Sequence, residues 1–248
     1  TVFSPSGRLY QVEYAMAAAR LGHPVVALIS PSGQDCVLVS ATPSMHSPAL
    51  VDPASLRPFS QITDTVACAV SGVPGDGLLQ VELLRQFAEK HEAEYGVMPS
   101  AGQLALQLAD HAQRLTQEAE TRPLGSSVLI IGPGTSVSTR RHDTSLQLFR
   151  VEPTGSLLRC KAGALGQGTQ AMESKISQWL DDTEASEQQP TKDELVEAAI
   201  ACLEVEAKVA RTTNSTDASP TKAVHVGHII PGKRLSWVAR RQAKAPWS

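Results

Sequence analysis

The sequence predicts an α+β fold in four layers: two antiparallel sheets face to face, with a pair of helices on each outer side. Three observations carry this. Short apolar runs of strand length occur in hairpin-linked groups. Longer segments with apolar residues at three- and four-residue steps occur in adjacent pairs. The resulting order is helix, strands, two helices, strands, two helices, strands. It lacks the strand–helix alternation of doubly wound and barrel folds. The pattern runs nearly end to end, so residues 1–248 are expected to form a single domain.

Ser4-Pro5-Ser6-Gly7 is turn chemistry, and a helix follows over about residues 6–20, with Leu9, Val12 and Met16 on one face beside Ala15 and Ala19. Val25–Ile29 and Asp35–Ser40 read as strands joined by a Gly-containing turn. Prolines 43, 48, 53 and 58 make residues 41–58 a looping stretch. Thr65–Ser71 is a buried strand stopped by Gly72. Two helices come next, one striped by Leu79, Leu83 and Phe87 with Leu84 and Ala88 alongside. The other is striped by Leu104, Leu108, Ala112, Leu115 and Ala119 and closed by Pro123. Ser127–Ile131, Ser145–Val151 and Leu157–Lys161 read as strands, and Gly163, Gly166 and Gly168 introduce a helix carrying Met172, Ile176 and Trp179. Thr183–Pro190 reads as a polar linker. Thr191 and Glu194 form a capping-box pattern opening a helix with Leu195, Ala198, Cys202 and Val205 inward. Arg211–Lys222 reads as a polar loop, Ala223–Ile230 and Arg234–Val238 as a closing hairpin, and residues 239–248 as a basic tail.

Composition removes several function classes. Lys+Arg of 22 against Asp+Glu of 25 gives a net charge of −3, so no broad basic surface for nucleic acid is expected. No apolar run approaches the roughly 20 residues of a membrane-spanning helix. The four cysteines form no CxxC pair and sit among apolar neighbours, which predicts small buried hydrophobes. The N-terminus lacks the apolar core of a secretion signal, so the Asn214-Ser215-Thr216 sequon is read as accidental and a reducing cytosolic or nuclear setting is expected. There is no HExxH, no GxSxG and no P-loop, and His225 and His228, three apart in a strand, should face opposite sides. No metal, no cofactor and no catalytic residue is therefore expected. Thr1 alone keeps an enzymatic reading open, because an N-terminal Thr can act as a nucleophile with its own amine as base.

Thr1-Val2-Phe3-Ser4-Pro5-Ser6-Gly7-Arg8-Leu9-Tyr10-Gln11-Val12-Glu13-Tyr14-Ala15 resembles the N-terminal signature of proteasome alpha-type subunits, carried by Phe3, Ser4, Pro5, Gly7, Arg8, Gln11, Val12, Glu13, Tyr14 and Ala15. Val70-Ser71-Gly72, Tyr95-Gly96, Arg122-Pro123-Leu124-Gly125 and Lys161-Ala162-Gly163-Ala164 follow in the family's order. Within the family, Ala119–Gly125 and Ala199–Leu203 are most like alpha type-6, the first position of the ring. Most other types carry Phe or Tyr where Leu124 stands.

This resemblance implies the N-terminal nucleophile hydrolase sandwich with an extra N-terminal helix lying across its end, Leu9, Val12 and Met16 forming the buried face. It implies a non-catalytic subunit. The Asp and Lys that assist the Thr of catalytic beta subunits fall here on Ala17 and Gly33; a beta-type threonine peptidase using Thr1 is the alternative reading. It also implies partners: other alpha subunits in a seven-membered ring, beta-ring subunits, a regulatory particle or other activators, and unfolded proteins in transit toward ATP- and ubiquitin-dependent degradation in cytoplasm and nucleus. Pro5 and Tyr14 match positions that, in family members, help hold N-terminal extensions open around the axial pore; Pro5 also reads as helix initiation and Tyr14 as a half-buried packing aromatic. Gly22 and Gly72 match small-residue positions of the pocket that receives activator tails. Ala49 stands where that pocket usually carries a Lys, and no Lys occurs between Arg20 and Arg57. A charge-assisted bond to a tail carboxylate needs a cation, so weak tail binding or none is expected.

Overall fold

The computed structural model describes residues 3–41, 58–118, 121–134, 145–186, 189–213, 223–237 and 241–242. Helix α1 (Tyr10–Arg20) leads into β1 (Val25–Ile29), β2 (Cys36–Ala41), β3 (Phe59–Gln61) and β4 (Ala67–Gly72). Helices α2 (Pro74–Tyr95) and α3 (Ala101–Gln117) precede β5 (Ser126–Pro133), β6 (Leu146–Val151), β7 (Leu157–Cys160) and β8 (Ala162–Leu165). Then come α4 (Thr169–Ser186), α5 (Lys192–Thr213), β9 (Ala223–Ile229), β10 (Ser236–Trp237) and β11 (Arg241–Gln242).

Among the described residues, one sheet has the order β10-β9-β2-β1-β8 with β11 on β9, and the other has the order β3-β4-β5-β6-β7. Every pairing is antiparallel. Alternation along β1 shows how the layers are built. Val25 and Ala27 face Leu129, Ile131 and Leu148 between the sheets, while Val26 and Leu28 face Met172, Leu195 and Ala199 of α4 and α5. On the second sheet Cys68, Val128 and Ile130 face outward onto Leu84, Leu104 and Leu108 of α2 and α3. Leu28, Leu84, Leu104 and Leu129 are wholly buried. Each such side chain contributes about 1.5–3 kcal/mol relative to exposure. The predicted four-layer α+β sandwich with an N-terminal helix is the observed one.

Helix ends follow local chemistry. Ser100 and Gln103 form a capping box on α3. On α5 the predicted pair is present, with Thr191 N donating to Glu194 Oε2 at 2.8 Å and Glu194 N to Thr191 Oγ1 at 3.4 Å. Helix α2 begins with Pro74 and ends at Gly96, whose φ is 71°.

The structure corrects several expectations. Strand β3 lies just past the Pro-rich stretch, and β8 occupies Ala162–Leu165, where the sequence suggests the approach to a helix. Helix α4 runs on to Ser186, into the segment expected to be a linker, and α5 reaches Thr213, inside the segment expected to be a loop. Most of that loop, the tail beyond residue 242, and the side chains of Val205 and Ala119 lie outside the described residues. On α2 the buried face is Gln80, Val81, Leu84 and Ala88, and Leu79 is exposed. On α1 the buried residues are Ala15 and Ala19; Leu9, Val12 and Met16 are only half-buried.

Candidate functional site

Helix α1 lies against the ends of β4 and β5, closing one end of the sandwich. The residues before it form a closed turn. Ser4 N donates to Arg8 O at 2.9 Å, Gly7 N to Ser4 O at 2.9 Å, and Arg8 N to the Ser4 hydroxyl at 2.9 Å. Gly7 takes φ 75°, the left-handed conformation this turn requires. Arg8 then reaches forward to Glu13 at 2.5 Å and holds that carboxyl below its usual range by hydrogen bonding. Its guanidinium also lies 5.4 Å from the Tyr10 ring centre. Tyr10 and Tyr14, one helical turn apart, stack with centroids 6.2 Å apart. Of the signature residues, Ala15 is buried, Ser4, Val12 and Glu13 are half-buried, and Phe3, Pro5, Gly7, Arg8, Gln11 and Tyr14 are exposed. Tyr14 is not the half-buried packing aromatic expected: it is 62 % exposed, on the outward side of α1.

Behind α1, Gly22 and Gly72 meet. A Cβ on Gly22 would collide with the Gly72 backbone nitrogen, and one on Gly72, at φ 132°, with the Gly125 carbonyl. Hydrogen bonds fasten the crossing: Ser71 Oγ donates to His23 O at 2.6 Å, Gln167 N to Gly22 O at 2.9 Å, and Val73 N to Gly125 O at 2.9 Å. Two positions expected to lie in one pocket are thus in backbone contact, and only glycine permits it. Leu21 and Val73 beside them are exposed. Ala49 lies outside the described residues.

No spacing in the sequence announces the ion pair that supports this crossing. Asp76, in the first turn of α2, is 5 % exposed. It accepts from both terminal nitrogens of Arg122, at 2.7 and 2.6 Å, and from Gly125 N at 2.7 Å. The Arg122 guanidinium holds the Asp76 carboxyl below the usual range, against the opposing effect of burial. Next to it, Ser126 Oγ donates to Gln80 Oε1 at 2.6 Å, which is why Gln80 faces inward.

The described residues show no catalytic constellation. Thr1 lies outside them. Ala17 is on α1 and Gly33 in the β1–β2 turn, at opposite ends of β1, and neither carries a titratable side chain. No group of three metal-ligating side chains occurs among the described residues. The four cysteines are free; burial pushes Cys68 up to about 12 and Cys202 up to about 11, leaving them poor nucleophiles. His228 shares the face of Val224 and Val226, whereas His225 shares that of Ile229, as their spacing predicts. The His228 Nε2 is 2.8 Å from Asp35 Oδ1, tying β9 to the β1–β2 turn.

A family model for the N-terminal signature of proteasome A-type subunits matches residues 1–18, and the general proteasome subunit model matches residues 21–217. A proteasome alpha subunit from Methanococcus maripaludis is 35 % identical over 188 residues, covering 75 % of this chain and 68 % of the relative. The one from Methanocaldococcus jannaschii is 35 % identical over 204 residues, covering 82 % and 71 %. Another, from Saccharolobus islandicus, is 33 % identical over 168 residues, covering 68 % and 65 %. The turn-and-helix that closes the sandwich here is thus the part that the alpha-specific signature describes, and the chain belongs to the proteasome alpha-subunit family.

Proposed function

We propose that this chain works as a structural wall element of a seven-membered alpha ring, stacked on beta-ring subunits, through which unfolded proteins pass toward ATP- and ubiquitin-dependent degradation. The observation that carries the reading is α1 itself. It covers the strand ends with Ala15 and Ala19 and, with the turn before it, leaves Phe3, Pro5, Tyr10 and Tyr14 exposed, where a neighbour or a pore would meet them. Exposed apolar side chains of this size suit a subunit whose surface is completed by partners. Leu124 and the Ala199–Leu203 stretch favour the type-6 place, the first of the ring. Four free cysteines suit a reducing compartment such as cytoplasm or nucleus. Pro5 and Tyr14 are assigned to the pore. The Gly22–Gly72 crossing belongs to an activator pocket that, with Ala49 in the cation's place, takes tail carboxylates weakly.

Co-expression with the other alpha and beta subunits of a proteasome, followed by native mass spectrometry, tests ring membership. The expected outcome is a ring-sized assembly holding this chain, with no acylation of it by an inhibitor directed at N-terminal Thr. A persistent monomer, or acylation at Thr1, would overturn the reading. Tight docking of an activator tail at Gly22 and Gly72 would overturn the weak-pocket assignment alone.

A further inference from the structure

The connection between α2 and α3 is closed by a chain of hydrogen bonds through two side chains. His91, near the end of α2, places its Nδ1 3.0 Å from Val97 O and its Nε2 3.4 Å from Gln103 Nε2. Gln103, in the first turn of α3, accepts at Oε1 from Ser100 N at 2.9 Å and from Ser100 Oγ at 3.0 Å. Gln103 N donates back to Ser100 Oγ at 3.3 Å, which completes the capping box of α3. The enclosed segment, Gly96–Ser100, buries Pro99 and Ser100 and exposes Val97 and Met98 at one end of the α2–α3 layer.

The backbone groups at the two ends of this chain fix every proton within it. Val97 C=O can only accept, so His91 Nδ1 carries a hydrogen. Ser100 N–H can only donate, so Gln103 presents Oε1 to it and turns its NH2 toward His91. An amide NH2 can only donate, so His91 Nε2 is the bare, accepting nitrogen. The network therefore requires a neutral His91 in its Nδ1–H form. A proton added at Nε2 sets one donor against another. Gln103 cannot answer by rotating its amide, because that turns its NH2 onto the Ser100 N–H and replaces one clash with a second.

The opposing side supplies no charge to relieve this. Gly96–Ser100 and the first two turns of α3, Ala101–Gln107, carry no charged residue. On α2, Lys90 and Glu92 flank His91 in sequence, Phe87 lies one turn back, and Glu94 and Tyr95 lie one turn on. Glu94 is hydrogen-bonded to Tyr95, whose ring centre is 4.7 Å from that of His91. Farther along α3, Asp110 faces Arg114 at 4.0 Å. His111 meets the Phe87 ring at 6.4 Å, and burial holds its imidazole below the usual range. It is the other histidine of this layer and stands about two turns beyond the cap.

We propose that His91 is a pH-operated latch on the α2–α3 connection: neutral, it holds Gln103 in the α3 capping box, and protonated, it expels Gln103 and loosens the turn carrying Val97 and Met98. Histidine is the side chain that changes charge between about pH 5 and 8, so a modest acidification works the latch. The bonds from Ser100 to the Gln103 side chain are then lost, and the apolar end of the layer is held less firmly. The latch lies in the turn alone and does not require ring membership.

The test is amide NMR of the 248-residue chain between about pH 7.5 and about pH 5.5, with hydrogen-exchange protection factors measured at each pH. The Gln103 side-chain amide and the Ser100 and Gln103 backbone amides are expected to shift together through one midpoint. Protection of the Gln103 backbone amide should fall about fivefold at the acid end. The Glu194 amide, in the α5 capping box, is the internal reference and should keep its protection, because the Glu194 carboxyl titrates below its usual range. His91→Gln should remove the response, whereas a response carried by His111 would survive it. Gln103→Glu should reverse the response, because a carboxylate accepts from Ser100 and from protonated His91 alike. A parent cap indifferent to pH overturns the proposal. So does the same acid loss in His91→Gln, or an undiminished acid loss in Gln103→Glu.

Discussion

The two helix layers pack equally well and finish differently. Leu84, Leu104 and Leu108 of α2 and α3 are buried as completely as Met172, Leu195 and Ala199 of α4 and α5. On the outer side the layers part. Leu78, at 71 % exposure, with Leu79, Leu106, Val97 and Met98, leaves apolar surface along the α2–α3 layer. Among the described residues of α4 and α5 no large hydrophobic is exposed, and the outward positions include Glu173, Lys175, Asp181, Asp182 and Glu184. Inner burial therefore holds each layer to its sheet, while outer composition separates a face made for water from one suited to a neighbouring chain.

The largest expected effects test the inner equivalence. Leu84→Ala and Leu195→Ala should each cost about 2–5 kcal/mol in urea denaturation, because each removes a fully buried side chain from a closed layer. A cost below about 1 kcal/mol at one site would break the symmetry and show that its layer closes loosely. Asp76→Asn comes next and touches the α2–α3 side alone. It should cost about 2 kcal/mol, since Arg122 and Gly125 lose a charged acceptor, with the exposure of Arg122 limiting the loss. The folded Asp76 carboxyl titrates below its unfolded value. Its contribution is thus complete above about pH 4 and disappears as pH falls through the folded value. Acid denaturation curves of the variant should be flatter there than those of the parent chain, and parallel curves would contradict the assignment.

The smallest effect on stability sharpens the outer contrast most. Leu78→Gln with Leu79→Gln should change the chain's own stability by less than about 0.5 kcal/mol each, as for other exposed positions. Incorporation into rings, counted by native mass spectrometry, should nonetheless fall. Lys175→Gln with Asp182→Asn on the opposite layer should leave both quantities unchanged. Equal loss of incorporation from both pairs would erase the distinction between the faces.

Much of the fold is legible in the chain because apolar spacing reports burial directly. The paired helices and the hairpin groups follow from that, and the Thr191–Glu194 cap from its own polar pattern. Where sequence and structure part, small residues are the usual cause. Ala162–Leu165 looks like a glycine-rich turn but forms β8, whose Gly163 lets Leu129 of the facing sheet approach. On α1 the larger apolar residues suggest the buried face, yet the helix lies so close to the second sheet that Ala18 stands beside Gly125 and the buried residues are Ala15 and Ala19. Strand β3, three residues long, is too short to show alternation. Gly22 and Gly72 stand out only through the family resemblance, and they do come together. The Asp76–Arg122 pair has no such signal, because nothing in one dimension brings those two charges together across 46 residues.

One pairing described above sets a clock. Strand β2 is flanked in its sheet by β1 and β9, and the His228–Asp35 contact beside that seam joins positions 193 residues apart. A ribosome adding about 5–20 residues per second leaves one edge of β2 without its neighbour for roughly 10–40 s. Through that interval Val37, Leu38 and Val39, none of which meets solvent in the finished chain, lie on an open strand edge. The first sheet is therefore sealed only once β9 has been made, and the nascent chain must be kept from other strands until Val224 to Ile229 have arrived.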